Sequence, residues 1–97
     1  MSAFQIETTE NSALIRFEGE LTIEESRALQ TALRVALCRP RELVLDPHAL
    51  VRIDVAALQV LLAAARIAPS VRIAPAPAPA WNAALERYAL AAAFAQN

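Results

Sequence analysis

The chain has 97 residues, 57% of them hydrophobic, and a formal net charge of -1. That length suits one domain over residues 1–97 with no room for a second core, and the apolar content excludes global disorder. The nine basic residues are scattered, with no cluster longer than Arg39-Pro-Arg41, so nucleic acid is not the expected partner.

In chain order, Phe4, Ile6 and Thr8 alternate with Gln5, Glu7 and Thr9, the period of a strand with one buried face. Glu10-Asn11-Ser12 has turn chemistry, and Ala13 to Phe17 reads as the return strand of a hairpin. Gly19 is the only glycine in the chain and is read as the turn that ends this strand, since positive φ is cheap only for glycine. Thr22-Ile23-Glu24-Glu25 fits a capping box, with the Thr22 hydroxyl on the Glu25 N–H and the Glu25 carboxylate reaching back. Leu29, Leu33, Ala36 and Leu37 then recur at helical spacing, and Pro40 is expected to stop this helix.

Glu42 to Leu45 reads as a short strand, apolar on both faces, which Asp46-Pro47-His48 ends. Leu50 to Ile53 leads to Asp54, the expected N-cap of a second helix over Val55–Ile67, its carboxylate on the N–H of Ala56 or Ala57. Pro69-Ser70 breaks that helix, and Val71-Arg72-Ile73 forms a last strand. Pro75, Pro77 and Pro79 predict a stiff, extended connector, with Pro79 opening a third helix that carries Trp81, Leu85 and Tyr88 on one side. The order β-β-α-β-α-β-α predicts an α/β (α+β mixed) fold, a mixed sheet with packed helices.

Several chemistries lack their residues. Cys38 is the only cysteine, which excludes an intrachain disulfide and a cysteine-based zinc site; it is read as a partly buried small apolar residue. His48, beside Asp46, has no nucleophile nearby and is read as a loop residue near a docking edge rather than as a general base. No catalytic residue, metal site or cofactor is expected, and one glycine does not make a phosphate loop. The N-terminus has no basic and apolar leader pattern. The longest apolar run, Val55 to Ala68, is shorter than the ~20 residues of a membrane span, so no membrane insertion and a cytoplasmic location are expected. Along the second helix Val55, Ala56, Gln59 and Ala63 form a weakly polar, Ala-rich stripe that suits core packing, a docking surface or a homodimer seam.

Together these segments resemble the STAS family, that of the anti-sigma factor antagonists. Ala13-Leu-Ile-Arg-Phe-Glu-Gly19-Glu-Leu21 is similar to its opening strand and turn, and Arg41-Glu-Leu-Val-Leu-Asp46 to its strand ending in Asp. Arg52-Ile-Asp54-Val-Ala-Ala-Leu58 resembles the junction usually written Ile-Asp-Ser-Ser-Gly-Leu. Val71-Arg-Ile-Ala-Pro75, a Pro-started helix and Leu90…Phe94 match its close. The resemblance implies a four- to five-stranded mixed sheet with helices on one face, and no enzymatic activity. It also implies docking of a protein partner through the loop and helix of residues 48–63, here His48, Asp54, Val55, Ala56, Ala57, Gln59 and Ala63. In sigma-factor systems the partner is an anti-sigma kinase that phosphorylates a junction serine. Ala56 stands at that acceptor position, and no Ser or Thr lies between Thr31 and Ser70. A kinase-like or scaffold partner is therefore expected, without phosphorylation at the junction. The alternatives are an accessory subunit on the ATPase of a lipid-transport system, or a nucleotide or lipid sensor.

Overall fold

The structure is a computed structural model that describes residues 3–88 and Phe94. Its elements are β1 (Phe4–Thr8), β2 (Ser12–Leu21), α1 (Ile23–Ala36), β3 (Glu42–Ile53), α2 (Val55–Ile67), β4 (Val71–Ile73) and α3 (Pro79–Arg87). The four strands form one sheet in the order β1-β2-β3-β4. The β1–β2 hairpin is antiparallel, whereas β2–β3 and β3–β4 are parallel. Both parallel crossovers step across the sheet in the same direction. Because such connections are right-handed, α1 and α2 come to lie on the same face of the sheet.

The hairpin turn is closed by Thr9, whose hydroxyl accepts the N–H groups of Asn11 and Ser12 at 3.3 and 3.0 Å. Beyond it, β2 alternates strictly: Ala13, Ile15 and Phe17 are buried against the helices. The strand does not end at Gly19. Gly19 does have positive φ, 70°, but it sits inside β2 at a register shift opposite Leu50, and pairing resumes at Glu20 and runs to Leu21. A Cβ at Gly19 would meet no atom within 4 Å, so its requirement is conformational, not steric. Gly19→Ala should therefore cost about 1 kcal/mol through backbone strain alone. Asn, which tolerates the left-handed region better, should cost less. Urea denaturation of the two variants checks this, and equal midpoints for wild type and Gly19→Ala would remove the strain argument.

β3 is one strand of 12 residues, not two pieces separated by a turn. Its buried core-facing positions are Leu43, Leu45, Pro47, Leu50 and Ile53. The spacing lengthens from two to three after Pro47 because β3 carries one extra residue between Arg16↔Asp46 and Glu18↔Ala49, and another between Gly19↔Leu50 and Glu20↔Arg52. Each bulge turns the following apolar side chain back toward the helices. Pro47 falls in the first bulge, where it has no ladder partner, so its missing N–H leaves nothing unpaired. Val44 points to the other face and is buried as well, in line with a segment apolar on both faces.

The helix ends differ from expectation. Thr22 is the N-cap of α1 but makes no side-chain cap bond, so the capping box does not form. The helix stops at Ala36, ahead of Pro40, and Arg41 ties that end down: its Nη1 donates to the Ala36 carbonyl at 2.6 Å and its Nε to that of Thr9 at 2.8 Å. Cys38 lies past the helix and is exposed, not partly buried.

The proline connector is not uniformly extended, for Ala76 has φ 59°. It is pinned along β3 by the Ala74 N–H on the Leu45 carbonyl and the Ala78 N–H on that of Pro47. Pro79 does open α3. Trp81 and Leu85 are buried, whereas Tyr88 sits on the rim with the Arg87 guanidinium over its ring. Leu90 lies outside the described residues.

Candidate functional site

Asp54 joins the ends of β2, β3, α1 and α2. Its backbone N–H donates to the Leu21 carbonyl at 3.0 Å, which holds it at the end of β3, and its extended backbone makes it the N-cap of α2. The carboxylate does not cap α2, however. Oδ2 accepts the N–H of Ile23, the first residue of α1, at 3.2 Å, and Oδ1 accepts from Arg52 at 3.3 Å. The side chain therefore reaches 31 positions back in sequence to satisfy one of the donors that open α1. The Glu25 N–H that a Thr22 hydroxyl cap would use goes instead to the Thr22 carbonyl, at 3.0 Å.

Asp54→Ala should accordingly destabilise the fold by about 1 kcal/mol and speed hydrogen exchange at the Ile23 amide more than at Ala56 or Ala57. Asp54→Asn keeps an acceptor for Ile23 and loses only a solvent-exposed pair with Arg52, so it should cost less. Faster exchange at Ala56 and Ala57 alone would mean that the carboxylate caps α2 instead.

Fastening the two helix starts together leaves apolar side chains standing around the junction. Ile23 is 65% exposed and Val55 41%. From Val55 the exposed surface continues along α2 through Gln59 and Ala63, with Ala56 partly covered. The helix buries the opposite side, Ala57, Leu58, Leu61 and Ala64. Ala57 is fully buried and cannot itself touch a partner; its small size lets α2 lie close on the sheet. The sequence pattern left both core and surface roles open for the stripe, and the structure places Val55, Gln59 and Ala63 at the surface. Ile23 completes the patch although it does not stand out in the sequence, where it reads as part of a cap. Val51, 69% exposed, lies apart from it, beside α3 with Ala80, Ala83 and Tyr88.

His48 lies elsewhere. It is part of β3 rather than of a loop, with Nδ1 at 3.2 Å from Asp46 Oδ1. Asp46 also faces Arg16 at 3.9 Å, and Arg16 holds Glu7 at 2.7 Å. This ladder runs over the sheet face turned away from the helices. Among the described residues no group of three or more His, Cys, Asp and Glu side chains gathers as a metal site would require, and no helix is long and apolar enough to cross a membrane.

A family model described as "Mlab, STAS domain" matches residues 4–94. The chain belongs to the STAS family. Solved structures share the STAS fold. An anti-sigma factor antagonist from Mycobacterium paratuberculosis aligns with TM-score 0.75 and 19% identity, covering 97% of this chain and 87% of that one. The anti-sigma factor antagonist SpoIIAA in its unphosphorylated form aligns with TM-score 0.72 and 19% identity over 87% and 82% of the two chains. The Bacillus cell-fate determinant SpoIIAA in its phosphorylated form gives 0.72 and 20% over 91% and 85%. No curated protein matches the chain at a significant level. The STAS element order and mixed sheet are those expected from the sequence. In this STAS chain the junction reads Asp54-Val55-Ala56-Ala57, with no hydroxyl.

Proposed function

We propose that this chain is a non-enzymatic STAS docking module, one domain over 1–97, working in the cytoplasm as an anti-sigma-factor-antagonist-like regulator. It binds a kinase-like or scaffold protein through the start of α2 and its surroundings. The observation that carries the reading is the pair of exposed apolar side chains, Ile23 and Val55, at the junction where Asp54 bonds the start of α1. Apolar side chains held in fixed positions lose little entropy on binding and gain from leaving water. Asp54 is the positioning residue of this interface, with Val55, Ala56 and Gln59 as contacts and Ala63 at its edge. His48, on the other face of the sheet, contributes only to a partner large enough to wrap around β3.

The missing hydroxyl sets the mode of action. Phosphorylation would place nearly two negative charges beside an apolar patch and break a complex there, but Val55, Ala56 and Ala57 offer no acceptor. Docking at this surface is therefore constitutive. That favours a second reading, a permanent accessory subunit on the cytoplasmic ATPase of a lipid-transport system, over a phosphorylation-driven switch.

Crosslinking tests both readings. A photoreactive residue in place of Gln59, used in the cell of origin, should capture one protein in stoichiometric yield, and Val55→Glu in the same chain should abolish the capture. A kinase-like or scaffold protein as the product supports the first reading, and a transport ATPase the second. Capture that is unaffected by Val55→Glu would reject this surface.

A further inference from the structure

At the end of the helices remote from Asp54, the C-terminal halves of α1 and α2 leave an open groove of about 440 Å³ between them. Leu33, Leu37, Val60 and Ala64 form its floor, and Arg34 and Ile67 stand at its rim. A smaller depression of about 280 Å³ shares Leu37, Cys38 and Ile67 with it and adds Arg39 and Arg41. No carboxylate lines either hollow. On the sheet, by contrast, Arg16, Arg52 and Arg72 face Glu7, Asp54 and Glu42. Arg41 donates to the carbonyls of Ala36, which ends α1, and of Thr9. The surface is thus an apolar trough bordered by cations.

The charges at the rim point to the occupant. Ile67, 71% exposed, carries the apolar lining to the rim, where Arg34 and Arg39 stand exposed. A single acyl chain carries one carboxylate, whereas the flank of an amphipathic helix presents several while its apolar stripe enters the groove. Arg34, in the last turn of α1, also complements the negative end of that helix. The helix end thereby accounts for Arg34 and Arg41, but not for the exposed Arg39 and Ile67.

We propose that this groove receives an amphipathic helix of a partner protein whose apolar stripe is flanked by Glu or Asp. The groove reaches Ala63 at the edge of the junction surface, while Arg34, Leu37 and Ile67 lie toward the other end of the two helices. A module with two such ends bridges two proteins, or two segments of one.

The test uses the full chain and two labelled peptides of about 14 residues, or about four helical turns. They share one pattern of Leu at i, i+3, i+4 and i+7 and differ in flanks of Glu or of Lys. Fluorescence anisotropy at low ionic strength should show the Glu peptide binding about tenfold more tightly than its Lys twin, from a few exposed charge pairs. The double change Arg34→Glu and Arg39→Glu, both at exposed positions, should remove or reverse that preference. Val55→Glu should leave it unchanged, which keeps this site separable from the junction. Equal binding of the two peptides, no binding of the Glu peptide at millimolar concentration, or a preference that survives the double change would overturn the proposal. Uptake of sodium palmitate without binding of the Glu peptide would overturn it in favour of a lipid.

Discussion

Replacing Trp81 with alanine should cost about 3–5 kcal/mol, the largest loss of stability expected from any single side chain here. Trp81 is 1% exposed. Its ring stacks on Phe17 with centroids 6.5 Å apart and meets Phe94 edge-on at 5.4 Å. Those contacts attach α3 and Phe94 to the middle of the sheet. The connector that precedes α3 is held to β3 by backbone hydrogen bonds from Ala74 and Ala78, and Trp81, with Ala84 and Leu85, buries α3 against the core. Against a total stability of about 5–15 kcal/mol for a domain, the loss leaves the variant near its unfolding threshold. Trp81→Phe keeps an aromatic ring between Phe17 and Phe94 and should lose about half as much. Urea denaturation followed by far-UV circular dichroism checks both. A Trp81→Ala midpoint within error of wild type would mean that α3 is not held by this cluster.

What the sequence discloses and what it hides follows from whether the determinant is local. The limits of α2, Val55–Ile67, and of β4, Val71–Ile73, are legible because Asp54, Pro69 and Ser70 are local stop signals flanking periodic apolar runs. Pro79 at the first position of α3 is legible for the same reason. β3 is not, because two bulges shift the phase of its apolar residues. Asp46-Pro47-His48 carries turn-forming residue types that here occupy a bulge inside a continuous strand. A period-two reading has no means of detecting an inserted residue, which shows only in the partner strand. Gly19 illustrates the same limit. Its positive φ is foreseeable from residue type, but whether the chain turns or continues depends on pairing with Leu50.

The site shows the same division. The exposed side of α2 follows from the spacing of Val55, Gln59 and Ala63 once the buried side is known. The bond from Asp54 to Ile23 does not, because it spans 31 positions, and the local pattern offers Thr22 rather than Asp54 as the side chain that opens α1. Val51 projects to solvent beside α3, where the second bulge interrupts the alternation between Leu50 and Ile53. The junction itself is fastened by a tertiary bond that the local pattern does not show.

Val55→Glu separates binding from folding at that patch, and its two effects should have opposite signs. Val55 is the first residue of α2 and is 41% exposed, so the fold loses only part of one apolar contact. The first turn of α2 contains no acidic residue, and Asp54 directs its carboxylate to Ile23 and Arg52. A glutamate at this position therefore meets the positive end of the helix without a rival, a gain of about 0.3–1 kcal/mol that offsets the lost packing. Thermal and urea midpoints should stay within error of wild type or rise. A partner seated on Ile23 and Val55 must instead bury the new carboxylate against apolar surface with no cation supplied, and its affinity should fall by about a hundredfold or more. Titration calorimetry with the crosslinked partner measures the second effect and melting curves the first. Binding that is lost together with stability would mean that Val55 acts through the fold. Binding retained in a stable variant would place the docking surface elsewhere than the start of α2.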